Sequence, residues 1–304
     1  MANLEQITEL QEILKQDPDN YQARRELALV LLDNGFAKEA SQNLLFLRKK
    51  FPNDFNIYYN LGIAYEKMKM YPEARNAYET AIKISPEELD AVYNLGLVYT
   101  ELQMYDSAIT CFERVLNKEQ NDSNSYFNLG ICYLKKNDKI NALMNFQNTI
   151  DLNDEDIYAH FYIGNILRDM GDLDGAKDEF NRVIEISPDY SWAYYNLASI
   201  AFEEEDFEQA ALNLDKTVAL NPKDEIAYIN YAKMLVKFSL FDDAKNIMNQ
   251  ALENCNDTGD IYYYMAQIAK HAGNMPEYRE NLNNALQNRE TLSVNINRIM
   301  SELE

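Results

Sequence analysis

The sequence predicts an all-α solenoid, a row of antiparallel helix pairs, on three observations. An alanine returns every 34 residues, at Ala40, Ala74, Ala108, Ala142, Ala176, Ala210 and Ala244. A second position keeps the same period and is always Gly or Ala: Ala28, Gly62, Gly96, Gly130, Gly164, Ala198, Ala232 and Ala266. The 304 residues contain only 9 Gly and 7 Pro, which suits helices joined by short turns. Strict recurrence at this spacing marks one small unit copied in tandem. Each unit is too small to bury its own apolar face, so neighbours must stack. Such a chain offers an extended surface rather than one deep cleft, which favours binding over catalysis.

Residues 55–88 show how one unit is built. Tyr58, Leu61, Gly62 and Tyr65 fall at i, i+3, i+4 and i+7, one face of a first helix, A. Ala74, Tyr78, Ala81 and Ile82 keep helical spacing in a second helix, B. Pro86 then blocks continuation, because the residue before a proline is driven out of the α region. Asn53-Asp54, Asn121-Asp122 and Asp189 stand where the next helix needs a cap. Gly35, Gly171 and Gly273 occupy the turn from A to B, where a left-handed residue ends the first helix. The small residue at Gly62 and its equivalents lets helix A approach its own helix B closely, and larger side chains fill the space around the contact.

The pattern Tyr58-x2-Leu61-Gly62-x2-Tyr65, Ala74-x3-Tyr78, Pro86 resembles the tetratricopeptide repeat (TPR). The resemblance covers nearly the whole chain and implies a right-handed superhelix. Eight units fit end to end: 21–54, 55–88, 89–122, 123–156, 157–190, 191–224, 225–258 and 259–292. The end units are atypical, with Arg24 in an aromatic slot and Tyr278 in an alanine slot. Leu10, Ile13 and Pro18 keep the register of a lone helix B, so 1–20 reads as an N-terminal cap. Ile296, Ile299 and Leu303 keep that of a lone helix A, so 293–304 reads as a C-terminal cap.

Charge narrows the partners. With 28 basic and 50 acidic residues the formal net charge is -22. Nucleic acid and anionic lipid are repelled on average, and a neutral or basic protein partner is favoured. No run of apolar residues is long enough to span a membrane. The N-terminus has no basic and apolar leader pattern, so a cytoplasmic location is expected. Cys111, Cys132 and Cys255 form neither a disulfide framework nor a zinc pattern and read as small buried hydrophobes. Asn121-Asp122-Ser123 and Asn256-Asp257-Thr258 match the glycosylation pattern by chance.

Catalytic and cofactor signatures are missing from the sequence: there is no HExxH, GxSxG, P-loop or GxGxxG. His160 and His271 are the only histidines, and His160 falls in a packing slot between A and B. Glu203-Glu204-Glu205-Asp206 reads as a solvated turn rather than a metal site. The chain is expected to be non-catalytic and to need no cofactor.

The resemblance implies that helices A line a concave face that binds an extended peptide or a partner helix. One slot on that face is Asn60, Asn94, Asn128, Asn196 and Asn230, with Tyr162 and Tyr264 in two further units. An amide matches the donor and acceptor of a peptide bond, so the row is similar to the asparagine ladder of O-GlcNAc transferase. An equal alternative is that Asn persists there as a folding preference. The preceding slot carries rings at Tyr59, Tyr93, Phe127, Phe161, Tyr195 and Tyr263, with Ile229 in the seventh unit. These rings serve either binding or packing between repeats. Tyr158, Tyr190, Trp192 and Phe202 add to them in the centre, and exposed aromatics of this kind make hot spots. Arg168 shares a face with Asn165 and Phe161. Asn230, Lys233 and Lys237 form a stripe that Lys270 continues, suited to an acidic side chain or a carboxylate, or simply to solvent. The carboxylate clamp of chaperone-tail-binding TPR domains does not carry over, since Leu29 and Asp90 stand where Asn and Lys would be needed.

Three functions are compatible with these residues. The leading one is a non-catalytic adaptor that binds a peptide or helix in the groove. The second is self-assembly through the terminal segment with Leu292, Ile296, Ile299 and Leu303. The third is the targeting subunit of a separately encoded enzyme such as a glycosyltransferase.

Overall fold

The computed structural model describes residues 2–256 and 258–303. Asp257, within the second glycosylation pattern, lies outside the described residues. Among the described residues every regular element is helical. Two compact units, Met1–Ala159 and His160–Glu304, are described in turn.

The first unit opens with α1 (Ala2–Gln16) and continues in A/B pairs: α2 (Tyr21–Asp33) with α3 (Ala37–Lys50), α4 (Phe55–Lys67) with α5 (Tyr71–Ile84), α6 (Leu89–Glu101) with α7 (Tyr105–Leu116), and α8 (Ser123–Lys135) with α9 (Lys139–Leu152). The unit boundary falls within α10 (Ile157–Met170). The second unit holds α11 (Leu173–Ile186), then α12 (Ser191–Glu203) with α13 (Phe207–Leu220), α14 (Glu225–Lys237) with α15 (Phe241–Asn254), and α16 (Gly259–His271) with α17 (Met275–Gln287). It ends on a 3-10 turn, Arg289–Thr291, and α18 (Ile296–Leu303).

The turns from A to B repeat one geometry at a step of 34. Gly35, Lys69, Gln103, Asn137, Gly171, Glu205, Ser239 and Gly273 all have positive φ, from 58 to 86°. The next residue donates its N–H to a carbonyl five residues back in every case, from Phe36 to Leu31 through Asn274 to Ala269, at 2.8 to 3.0 Å. This is the Schellman close of a helix. The three glycines fulfil the expectation of a left-handed turn. Five other residue types share it against a steric cost of about 1–2 kcal/mol each.

All seven periodic alanines are fully buried. The Gly/Ala position works through a partner sixteen residues on. A Cβ on Gly96 would stand 2.7 Å from the Phe112 ring, one on Gly130 2.7 Å from Phe146, and one on Gly164 2.8 Å from Phe180. Gly62 meets Tyr78 in the same way. Where the small residue is Ala28, Ala198, Ala232 or Ala266, the partner is Leu44, Leu214, Met248 or Leu282, all buried. Glycine accompanies a ring and alanine an aliphatic chain, so the pair fills a similar volume in each hairpin.

Capping follows short polar side chains. Asp54, Asp122, Asp138, Asp172, Asp206 and Asp224 accept backbone N–H groups in the first turns of their helices. Asp189 does not: the N-cap of α12 is Tyr190, and Asp189 accepts from the Ser187 hydroxyl instead. One residue too early, its carboxylate serves the preceding turn. In α1, Ile7 and Leu10 are buried, while Ile13 is 43% exposed and so lies off the packed face. In α18, Ile299 is fully buried in a cluster with Tyr263, Ala266, Tyr278 and Leu282 of its own chain, and Leu292 and Leu303 pack around it. Tyr278, in the alanine slot, donates its hydroxyl to Glu302 at 2.6 Å.

All three cysteines are buried, and none is in a disulfide. Burial pushes the Cys111 thiol up to about 11. His160 is buried, with Nδ1 2.6 Å from Glu179. No helix among the described residues is long and apolar enough to cross a membrane.

Candidate functional site

Amides and rings on helix A are coupled one repeat to the next. Asn94 donates to the Tyr59 hydroxyl at 3.3 Å, Asn128 to Tyr93 at 3.0 Å and Asn230 to Tyr195 at 2.6 Å. Asn128 also donates to the Asn124 carbonyl at 2.8 Å. A carbonyl can only accept, so it places the amide nitrogen, and both Asn128 hydrogens are then committed. What remains for a guest is the amide oxygen as acceptor and the tyrosine O–H as donor. Burial pushes the Tyr59 and Tyr93 phenols up, which keeps both protonated at neutral pH. At these three steps the amide ties neighbouring helices A together and leaves one donor and one acceptor.

The rings also pack inward. Tyr59 meets Tyr78 at 6.0 Å between centroids, Tyr93 meets Phe112 at 5.6 Å, Phe127 meets Phe146 at 5.4 Å and Phe161 meets Phe180 at 5.9 Å. In each pair the helix B ring is the one that covers a glycine. These four side chains are half-buried components of the wall.

Other expected site residues divide between the two units. Asn60 donates to the Asn56 carbonyl at 2.7 Å and Asn165 to Phe161 at 2.9 Å. Asn196 is only 4% exposed, and both ends of its amide are engaged: Nδ2 with the Trp192 carbonyl at 2.8 Å, Oδ1 with Arg168 at 2.6 Å. Asn196 therefore stands behind the wall, and Arg168 is committed to it. Tyr162 packs edge-on against Phe161. Tyr158, at the start of α10, is exposed, with its N–H on the Asp156 carboxylate. Trp192 is exposed and meets Tyr195 edge-on at 5.8 Å.

The helix A face is hollowed at three places, two of them over a leucine that stands in the helix B ring slot. In the first unit, a cavity of about 590 Å3 lies between α2 and α4, over Leu44, with Arg25, Leu29, Tyr59 and Asn60 around it. In the second unit, one of about 340 Å3 lies between α12 and α14, over Leu214, with Tyr195, Phe202, Asn230, Lys233 and Met234 around it. A neighbour of about 350 Å3 lies between α14 and α16 and shares Lys233. Its walls are apolar, from Ile229, Val236 and Ile268, and its polar groups are Lys233, Lys237, Gln267, Tyr264 and His271.

Charge differs between these hollows. Arg25 is paired with Asp54 at 2.7 Å. Lys233 sits 4.4 Å over the Tyr264 ring and Lys237 4.5 Å over Phe202. Neither lysine has a carboxylate partner among the described residues. Arg25, Met234, Gln267 and His271 were not among the expected groove residues, whereas Phe202 was among the expected central rings. A signal for two of the hollows was present as Leu44 and Leu214 at the step that carries Tyr or Phe in the four hairpins between them.

Family models of the tetratricopeptide repeat match residues 55–88 and 193–224, and a TPR repeat model matches 164–203. A model of anaphase-promoting complex, cyclosome, subunit 3 matches 101–183. No curated protein matches the chain. Among solved structures, a tetratricopeptide repeat protein from Parabacteroides merdae superposes with a TM-score of 0.60 at 14% identity, covering 82% of this chain and 97% of that one. MamA from Desulfovibrio magneticus gives 0.54 at 24% identity, covering 57% and 97%. YrrB, described as a TPR protein with an unusual peptide-binding site, gives 0.51 at 27% identity, covering 60% and 95%. The helix pairs, their period and these matches agree: the chain is a tetratricopeptide repeat protein.

Proposed function

We propose that the chain is a non-catalytic adaptor that holds an extended peptide or a partner helix against its helix A face. The observation that carries this reading is the surface left over after packing. At three steps it presents a tyrosine donor and an amide acceptor and, at α12, α14 and α16, hollows with two lysines that no carboxylate neutralises. YrrB, a structural neighbour described by its peptide-binding site, supports the same use of the fold. The cytoplasm fits a chain with three reduced, buried cysteines, and the charge of -22 disfavours nucleic acid and anionic membranes as partners.

Self-assembly through the terminal helix would require α18 to leave its own chain, because Ile299 is already buried there. A role as the targeting subunit of a separately encoded enzyme uses the same face and differs only in the partner.

The test is partner recovery on the immobilised full chain, quantified by mass spectrometry. Trp192→Ala with Tyr195→Ala should lower recovery of specific partners about tenfold. Lys216→Ala, on the outer helix α13, should leave it unchanged. Equal recovery by all three proteins would contradict the reading.

A further inference from the structure

Four hairpins lay a ring across a glycine: Tyr78 on Gly62, Phe112 on Gly96, Phe146 on Gly130 and Phe180 on Gly164. In each, the helix A ring of the same hairpin packs on that buried ring. Hairpin 191–224 departs from this. Ala198 and Leu214 replace the glycine and the ring, and a cavity of about 340 Å3 opens over Leu214. Tyr195, without an aromatic beneath it, pairs with Trp192 instead, the two rings nearly perpendicular. The remaining walls are apolar: Ala198, Phe202, Leu214 and Met234. At Met248, where the same step carries a longer chain, the side chain is fully buried, and the hollow of that hairpin lies between α14 and α16 instead.

Polar groups at the rim are few. Glu203 and Ser199 stand on the α12 side. Lys233 stands on the α14 side, at the passage into the adjoining hollow. That second hollow has Lys233, Lys237 and His271 and no carboxylate among its lining residues. In a chain of charge -22, two lysines held over rings without an acidic partner form a local positive site. Desolvated by a guest, each would favour a carboxylate.

We infer that the hollow over Leu214 is a socket for an aromatic side chain of a guest peptide, and that Lys233 and Lys237 take an acidic residue next to it. The inference rests on the adaptor reading and names the class of peptide: one ring and a neighbouring carboxylate. The guest ring occupies the space that a helix B ring fills in other hairpins. Tyr195 and Phe202 offer it edge and face contacts. The Tyr195 hydroxyl, already accepting from Asn230, keeps its hydrogen for a guest carbonyl.

The test uses Trp192, the only tryptophan in the chain, as a fluorescent reporter beside the socket. The probe is a short Ser/Gly peptide carrying one Phe followed by two Glu. Companion probes replace Phe with Ala or both Glu with Lys. The full chain should bind the first probe at least about tenfold more tightly than either companion, the effect of about 1.4 kcal/mol. Ala198→Gly with Leu214→Phe rebuilds the closed hairpin of Gly164 and Phe180. It should retain wild-type circular dichroism and lose at least about tenfold in affinity for the first probe. Lys233→Gln with Lys237→Gln should abolish the preference for Glu over Lys and keep that for Phe over Ala. The probe comparison on the unaltered chain needs no variant to fold. Equal binding of the Phe and Ala probes, or undiminished binding by the folded closed variant, would overturn the socket. If none of the probes binds while partner recovery still depends on Trp192 and Tyr195, the socket falls and the adaptor reading stands. If neither responds, both fall.

Discussion

Hairpin 89–122 lays the Phe112 ring across Gly96, whereas hairpin 191–224 sets Leu214 against Ala198. Both pairs are buried, and both let helix A lie close to helix B. They differ in what the helix A face presents. Over Phe112 the Tyr93 ring packs edge-on at 5.6 Å; over Leu214 the surface opens into a cavity. A repeat can therefore exchange one pair for the other with its core filled and its outer face changed. This is how a periodic chain, identical in backbone plan from one hairpin to the next, acquires a particular place to bind.

The largest effect should come from spoiling one pair alone. Gly96→Ala forces a Cβ to within 2.7 Å of a buried ring. It should cost about 1–3 kcal/mol, read as a lower urea midpoint. The turns give the next. Gly171→Ala, at φ 86°, should cost about 1–2 kcal/mol. Glu205→Gly, in the same turn one repeat later, should gain about 0.5 kcal/mol, since relief of the left-handed strain is partly offset by chain entropy. A loss on Glu205→Gly would show that its side chain has a role beyond the turn.

The couplings along helix A are smaller. Tyr93→Phe leaves one Asn128 hydrogen without its partner and should cost about 1 kcal/mol, as should Tyr195→Phe beside Asn230. If Tyr195→Phe weakens peptide binding and Tyr93→Phe does not, the two regions differ in function as they do in shape.

Two carboxylates make the smallest and most local contrast. Glu66 accepts the Tyr78 hydroxyl at 3.0 Å, and burial pushes its carboxyl above the ordinary range. Glu302 accepts the Tyr278 hydroxyl, and that bond holds its carboxyl below. The signs are opposite. The depressed Glu302 contributes stability above its unfolded value and loses it as pH falls through the folded one. The raised Glu66 contributes most below its unfolded value and loses it as pH rises through the folded one. Hydrogen exchange at neutral pH and at about pH 4 should show protection lost on acidification in α18 and retained in α4 and α5. Parallel loss in both would contradict the assignment.

Much of the fold was legible because burial at a fixed step leaves a periodic trace. Each of Ala40 to Ala244 was visible and each is sealed in the core. The turns were half legible. Gly35, Gly171 and Gly273 announce a left-handed residue, but Lys69, Gln103, Asn137, Glu205 and Ser239 adopt it because the Schellman bonds around them hold it. Asp189 and Ile13 misled by one step of register, which composition cannot resolve.

The site was less legible. The Asn row was visible, but its tie to the preceding tyrosine depends on how two neighbouring helices face each other. A partial trace existed: Tyr59, Tyr93 and Tyr195 are each followed 35 residues later by Asn and Phe127 by Tyr162, but Phe161 is also followed by Asn, and Asn196 bonds Arg168 instead. Leu44 and Leu214 looked like ordinary core residues. Their meaning emerges only once the rings at the same step are seen covering glycines.

The exchange of a glycine–ring pair for an alanine–leucine pair is tested most directly by a double-mutant cycle in hairpin 89–122. Gly96→Ala, Phe112→Leu and the double variant would be compared with the unaltered chain by urea unfolding. Each single change should destabilise, and the double variant should recover at least about 1 kcal/mol relative to their sum. Costs that simply add would mean that Gly96 and Phe112 are not exchanged as a unit, and the account of closed and hollow hairpins would be wrong.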